Sequence, residues 1–361
     1  FPDEIKQLIK KYASFKPKNK HELSQAVDTW CKDKKKAMKL YFHISFWDTS
    51  LIDDMNYMFN GKQNFNDNIN DWDVSNVKSM YFMFLYAESF NQPLNKWDVS
   101  NVKTMNCLFC NAKKFNQSLE NWNVSNLNDA SYLFSNAKSF NQPLNKWNVE
   151  NVISMESMFS FTDNFNQPIN NWNVSNVLKM DSMFEYAKSF NQPLDKWNVS
   201  NVRSMNHMFQ KTSQFDQEIE KWDVSNVIYM MSMFCDAKLF NKPLNNWTLD
   251  NIHKMDFMFS KTHLFNQPLN KWNVSKAISF VGMFSESQKF NQSLNDWNID
   301  LNRKLPPGLM FIFHQAKSFD MKNAKWYNEN QIHKTGYYVT RRNINKKYFF
   351  LFKIKIFLLF I

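Results

Sequence analysis

The sequence predicts an α/β repeat solenoid. Tryptophan recurs every 25 residues, from Trp47 through Trp172 to Trp297, at eleven positions in unbroken register. A period of that length marks a chain of stacked copies of one small unit. Two further columns keep it: a Phe-Asn pair, as at Phe90-Asn91 and Phe190-Asn191, and a Met-Phe pair, as at Met83-Phe84 and Met183-Phe184. Each copy carries a helix-like apolar spacing followed by a strand-like alternation, which sets the class as α/β.

The first element is a helical N-terminal cap, residues 1–46. Asn19 and Glu22 stand at capping-box spacing, with Asn in place of the usual Ser or Thr. Leu23, Ala26, Val27 and Trp30 then line one helical face. Such a cap is expected because the first coil would otherwise expose an apolar edge and unpaired backbone. Lys32, Lys34, Lys35 and Lys36 read as a solvated helix end.

The repeat body follows, residues 47–326. Its best-formed copy is VLKMDSMFEYAKSFNQPLDKWNVSN, Val177 to Asn201. Val177, Met180, Met183, Phe184 and Ala187 recur three and four apart, which predicts a short helix. Ser175 stands where a helix N-cap would, and Ser75, Ser100, Ser125, Ser200, Ser225, Ser275, Glu150, Asp250 and Asp300 share its column. Pro193 ends that half. Trp197 and Val199 then alternate with Lys196 and Asn198, which predicts a short strand. One such coil is too small to offset the entropy of ordering it, so the coils must cover one another. Stacked Asn side chains offer donors and acceptors to backbone groups inside the turns. Asp216 breaks that column and supplies only an acceptor, which predicts a weakened coil.

The register slips after Trp297. Phe319 follows it by 22 residues where 18 is the rule, so about four residues are inserted near Asn302–Gly308, a stretch holding Pro306 and Pro307. One degraded coil with Phe313, Phe319 and Trp326 follows, as expected of a terminal repeat. Residues 327–361 form a C-terminal cap or basic, apolar tail. Its end, Tyr348–Ile361, is apolar but broken by Lys353 and Lys355, and is shorter than the roughly 20 residues of a spanning helix. Weak membrane contact through this tail is the most it supports, with Arg341, Arg342, Lys346 and Lys347 beside it.

The motifs FNQPLNKWDVSNV at Phe90–Val102 and FNQPLDKWNVSNV at Phe190–Val202 resemble the short repeats of BspA-like leucine-rich-repeat surface proteins, and the stretch from Lys16 to Trp47, through HISFWDTS at His43–Ser50, resembles their entry segment. The resemblance spans about Trp47 to Trp326. It implies a leucine-rich-repeat-like stack of short helix plus short strand coils, a cell-surface or secreted location, and a role in surface binding or adhesion. It implies no catalytic residues and names no ligand. The chain departs from ordinary leucine-rich repeats in placing Trp and Phe where Leu is usual.

The formal charge of +11 suggests nucleic acid until it is divided along the chain. Residues 1–50 carry 11 Lys against 6 acids and residues 298–361 carry 12 Lys or Arg against 3, whereas residues 51–297 carry 21 against 24. The repeats therefore lack the continuous basic stripe that a nucleic-acid groove requires. Cys107 and Cys110 spell C-x-x-C without a second pair, too few ligands for zinc. Cys110 and Cys235 lie five coils apart, beyond disulfide reach. No cofactor is implied.

These features point to a non-enzymatic interaction scaffold for a protein or glycan ligand. The candidate binding stripe is the polar column beside the Trp ladder on the expected strand face: Lys96, Lys146, Asn171, Lys196, Lys221, Asn246 and Lys271. A second candidate is the variable column Lys78, Lys103, Asn128, Ile153, Leu178, Arg203, Ile228 and His253. A spacer without its own ligand is the alternative. A polysaccharide-cleaving enzyme is a weaker one. It needs paired carboxylates, and Asp181 and Glu185, four apart on the expected helix, are not repeated in neighbouring coils. Asn123, Asn173, Asn198 and Asn273 begin glycosylation-type tripeptides, which the repeat generates automatically.

Overall fold

The computed structural model describes residues 15–299, 301 and 308–327. The C-terminal stretch Tyr348–Ile361, Asp300 and the prolines at 306 and 307 lie outside the described residues. The chain divides into one unit ending at Ala324 and a second beginning at Lys325. Of the second, residues 325–327 are described, with the Trp326 ring edge-on to Tyr327.

Helix α1 spans Lys20–Lys32 and helix α2 spans Lys34–Tyr41. The Asn19 side chain accepts the Glu22 amide at 3.0 Å, and the Glu22 carboxylate accepts the Lys18 amide at 2.8 Å. The Asn19 half is the cap that the spacing predicts, while Glu22 reaches one residue further back, to Lys18 in place of the Asn19 amide. Leu23, Ala26, Val27 and Trp30 are the buried face of α1. The Trp30 ring packs edge-on to Trp47 at 6.1 Å, so α1 closes the apolar edge of the first coil.

The coils themselves correct the expected fold class. Among the described residues no coil contains an α-helix, and each contributes a single bridged residue rather than a strand. The α/β repeat solenoid, with its leucine-rich-repeat-like coils of short helix plus short strand, is therefore overturned. What forms is a run of tight turns. Two residues in each complete coil are left-handed, for example Ser182 at φ 54° and Tyr186 at φ 57°, which no right-handed helix accommodates. The amides of Met183, Glu185 and Ala187 donate to the carbonyls of Met180, Ser182 and Phe184, each three residues back. In two of these turns the left-handed residue sits third, the place that type II turns reserve for positive φ.

The intervening amides face the next coil. Those of Met180, Ser182, Phe184 and Tyr186 donate to the carbonyls of Ser204, Asn206, Met208 and Gln210 at 2.7–3.0 Å. Parallel single-residue bridges run along the same side from Asp54↔Ser79 to Ser279↔Gly308. From Ser182 to Ala187 the backbone donors are thus satisfied alternately between and within coils. Left-handed non-glycine residues cost about 1–2 kcal/mol each, and here the next coil holds each one by its amide.

The opposite side also lacks the expected strand. Trp197 and Val199 are buried and Lys196 and Asn198 exposed, as the alternation predicts. The coils are tied there by side chains. Trp197 Nε1 donates to the Ile169 carbonyl at 3.1 Å, and Asn201 Nδ2 donates to the Ser175 carbonyl at 2.7 Å. The indole bond to a carbonyl 28 residues back repeats from Trp72 to Trp297. Ser175 is not a helix cap; its amide donates to Asn173 Oδ1 in a local Asx turn.

Aromatic ladders fill the interior. Trp97 lies parallel to Trp122 at 6.3 Å, and Trp247 to Trp272 at 6.2 Å. Phe184 stacks on Phe209 at 5.7 Å and on Phe190 at 4.0 Å. Both Phe ladders survive the four-residue slip: Phe313 continues from Phe284, and Phe319 from Phe290, each at 5.9 Å.

The Asn column is an acceptor ladder. Asn166 Oδ1 accepts the Asn191 amide at 3.0 Å and Gln192 Nε2 at 3.1 Å. Asp216 fits it without loss, since the acceptor half is the half used: its Oδ1 accepts the Asn241 amide at 3.0 Å. The Gln column changes in step. Lys242 replaces Gln and lies 3.5 Å from Asp216, so the added negative charge meets a cation. The weakened coil expected at Asp216 does not arise, because the substitution is matched one coil on.

Candidate interaction surface

The predicted stripe is one exposed column: Lys96, Lys146, Asn171, Lys196, Lys221, Asn246 and Lys271 all face solvent. Its members spend their polar groups on neighbouring coils. Lys96 Nζ meets Asp71 at 2.7 Å, Lys146 meets Glu120 at 3.4 Å, Lys196 donates to Asn171 at 3.2 Å, and Lys271 donates to Asn246 at 3.3 Å. Around Lys221 and Asn246 the surface dips into shallow recesses shared with Glu220 and Thr248. The stripe does not lie on a strand face, because no strand forms there.

The second predicted column is a backbone ladder, in which the Arg203 and His253 side chains also bond the carbonyls of Asn226 and Asn251. The Leu178 amide donates to the Ile153 carbonyl, and the Arg203 amide to the Leu178 carbonyl, both at 2.9 Å. Ile153 and Leu178 project into solvent, 49% and 42% exposed, which is unusual for large apolar groups in an otherwise well-covered chain.

Sequence reasoning missed the turn face. The columns that contain Asp54, Asn56, Tyr57, Asn60 and Gly61 in the first coil lie beside the parallel bridges, and their residues change at almost every coil. Tyr57, Phe82, Cys107, Tyr132, Ser157, Ser182 and His207 succeed one another in one left-handed column. Of the positions in these columns the helical reading singled out only Asp181 and Glu185. The signal available in the sequence was their variability inside constant neighbours.

This face has two parts. In the first, Phe82, Leu85, Cys107 and Cys110 form a buried apolar patch under partly buried Tyr81, Tyr86 and Tyr132. Tyr57 stands 51% exposed at its edge, with its ring 5.6 Å from Tyr81. The Tyr132 hydroxyl donates to Glu156 at 2.7 Å, and Asn106 Nδ2 donates to Asp129 at 3.1 Å. Burial, and then the Glu156 charge, push the Tyr132 phenol well above its ordinary range. A hydrogen bond with Cys110, and then burial, raise the Cys107 thiol, which disfavours the reactive thiolate.

The second part carries mixed charge. Phe161 stacks on Tyr186 at 4.3 Å, and Lys211 sits at the hydroxyl edge of the Tyr186 ring, 4.4 Å from its centre, while bonding the hydroxyl. Lys261 meets Glu286 at 3.6 Å further on. Glu185 is buried beneath, and its Oε2 has no partner. Burial pushes this carboxyl up to about 7, against the pull of Ser182 and Lys211. Asp181 is occupied by the Ser204 hydroxyl and the Asn206 amide, so Asp181 and Glu185 do not form an exposed acid pair.

All four cysteines are free. Among the described residues no group of three His, Cys, Asp or Glu side chains is placed to hold a metal ion, and no helix is long and apolar enough to cross a membrane. No curated protein matches the chain. A family model described as "Mycoplasma protein of unknown function, DUF285" matches four overlapping stretches, residues 29–146, 118–219, 204–326 and 243–348. These cover most of the sequence with repeated copies of one unit, as the 25-residue period requires, and the chain belongs to that family.

Proposed function

We propose that the chain is a non-enzymatic interaction protein, a repeat scaffold that offers its turn face to a protein or glycan partner. One observation carries this reading. The buried columns hardly change from coil to coil, while the turn-face columns beside them change at nearly every step. A rigid frame whose variable positions lie along one face, most of them buried or half-buried with a few such as Tyr57 exposed, is how repeat proteins build extended binding surfaces. The resemblance to BspA-like surface proteins supports the same role and a surface location.

The test is a screen of the folded chain against arrays of host proteins and glycans, repeated with a levelled variant. That variant carries Tyr57→Ser, Tyr81→Asn and Tyr132→Ser, residues that other coils already hold in these columns. Binding that disappears on levelling supports the proposal. Binding to nothing, with the fold intact, sinks it in favour of a spacer.

A further inference from the structure

The turn face between Asp54 and Phe161 is selective in its chemistry. Its five columns hold mostly aromatic, amide and hydroxyl side chains, with Leu85, Cys107, Cys110 and Gly61 and the acids Asp54, Asp129 and Glu156, but no Lys, Arg or His, in a chain of net charge +11. Cations enter these columns only from Lys179 onward. Where a cation of the chain does reach this face, the pairing is specific. Lys211 sits at the hydroxyl edge of the Tyr186 ring, 4.4 Å from its centre, and bonds the hydroxyl. Lys20, coming from α1, meets Asp54 at 2.9 Å. Tyr86 stands in the same column as Tyr186, but the next coil places Asn111 where Lys211 would be.

We infer that this half of the turn face docks a basic polypeptide segment, whose Lys or Arg side chains lie over the tyrosine rings and between Asp129 and Glu156. Ring faces attract such cations, and carboxylates at the rim fix their register. Tyrosine beside Asn and Ser also gives contact area at low entropic cost, the composition of surfaces that bind polypeptides. Lys78 and Lys103 stand in the adjoining exposed column and repel the same segment on one border. The inference rests on the interaction reading above and names its partner class.

The probes are octa-arginine and octa-lysine peptides, with octa-glutamate and neutral oligosaccharides as the opposing arms, titrated calorimetrically into the full chain at low salt. Octa-arginine binds, and binding weakens as salt rises. Asp129→Ser with Glu156→Asn, both residues that other coils carry in these columns, weakens it about tenfold. Lys78→Ser with Lys103→Ser strengthens it. Glu150→Gln with Asp250→Asn, exposed acids on another side, leaves it unchanged.

The inference is overturned if octa-arginine does not bind, or if the Glu150 and Asp250 changes weaken it as much as those at Asp129 and Glu156. It is also overturned if a neutral oligosaccharide binds here and is lost with Tyr132→Ser. That last outcome leaves the interaction reading standing, whereas a chain that binds no array component removes both.

Discussion

Replacing Glu185 by Gln isolates the cost of one buried charge. The carboxyl is 4% exposed, one oxygen lacks a partner, and burial raises it to about 7 from an ordinary 4.5. A group whose folded value is raised holds its proton in the native state while the unfolded chain has already lost it. Its contribution is therefore harmless below about pH 4.5, grows more destabilising up to about pH 7, and is constant above that. The gap in proton affinity corresponds to about 3 kcal/mol. Gln carries no charge at any of these pH values, and Gln210 already holds the same column one coil on.

Glu185→Gln is thus expected to match the native chain near pH 4.5 and to exceed its stability by about 3 kcal/mol at pH 8. Urea unfolding of both proteins at half-unit steps between those limits, followed by near-UV circular dichroism, measures the difference directly. Other titrating groups are common to both proteins and cancel. A difference that stays flat across the range refutes the reasoning. It would mean that the carboxyl finds a partner or reaches solvent.

Three further outcomes test the packing. Trp172→Ala removes a ring that is 3% exposed and takes away the inter-coil donor of the Leu144 carbonyl, at 2.9 Å, leaving it only the Trp147 amide; a loss of about 3–5 kcal/mol is expected in urea unfolding, and a negligible change would mean that the ladder contributes little. Gly282→Ala places a methyl 2.4 Å from the Phe257 ring on a left-handed residue of φ 59°. It should cost about 1–3 kcal/mol, much of it recovered by adding Phe257→Ser, and additive effects would exclude that clash. Deleting residues 150–174 joins Val149 to Ser175 and regenerates the repeat motif; the shortened chain should still unfold cooperatively, and loss of cooperativity would show that the coils are not interchangeable.

Much of the interior was legible in the sequence. The period located the Trp and Phe ladders because an apolar column in a repeat must be covered by its own copies. The N-terminal helix was legible for a local reason: Asn19, Glu22 and the apolar face of α1 all lie within one short stretch of chain. The conformation of the coils was not. Met180, Met183, Phe184 and Ala187 recur three and four apart in a run of tight turns just as they would in a helix. Spacing alone does not separate the two, and the left-handed residues that decide between them include Ser182, Tyr186, Phe257 and Lys211, none of which announces positive φ as glycine does. The turn face was hidden for the same reason, since its columns adjoin only once the turns are formed.

The sequence by itself determined the repeat, its register and which side chains turn inward, because burial needs only a periodic supply of apolar residues. Only the tertiary structure decided how each coil bends, what the Asn ladder accepts, and which variable columns share a surface. Those depend on hydrogen bonds to the coil on either side, and a partner 25 residues away exerts no influence on local sequence preference.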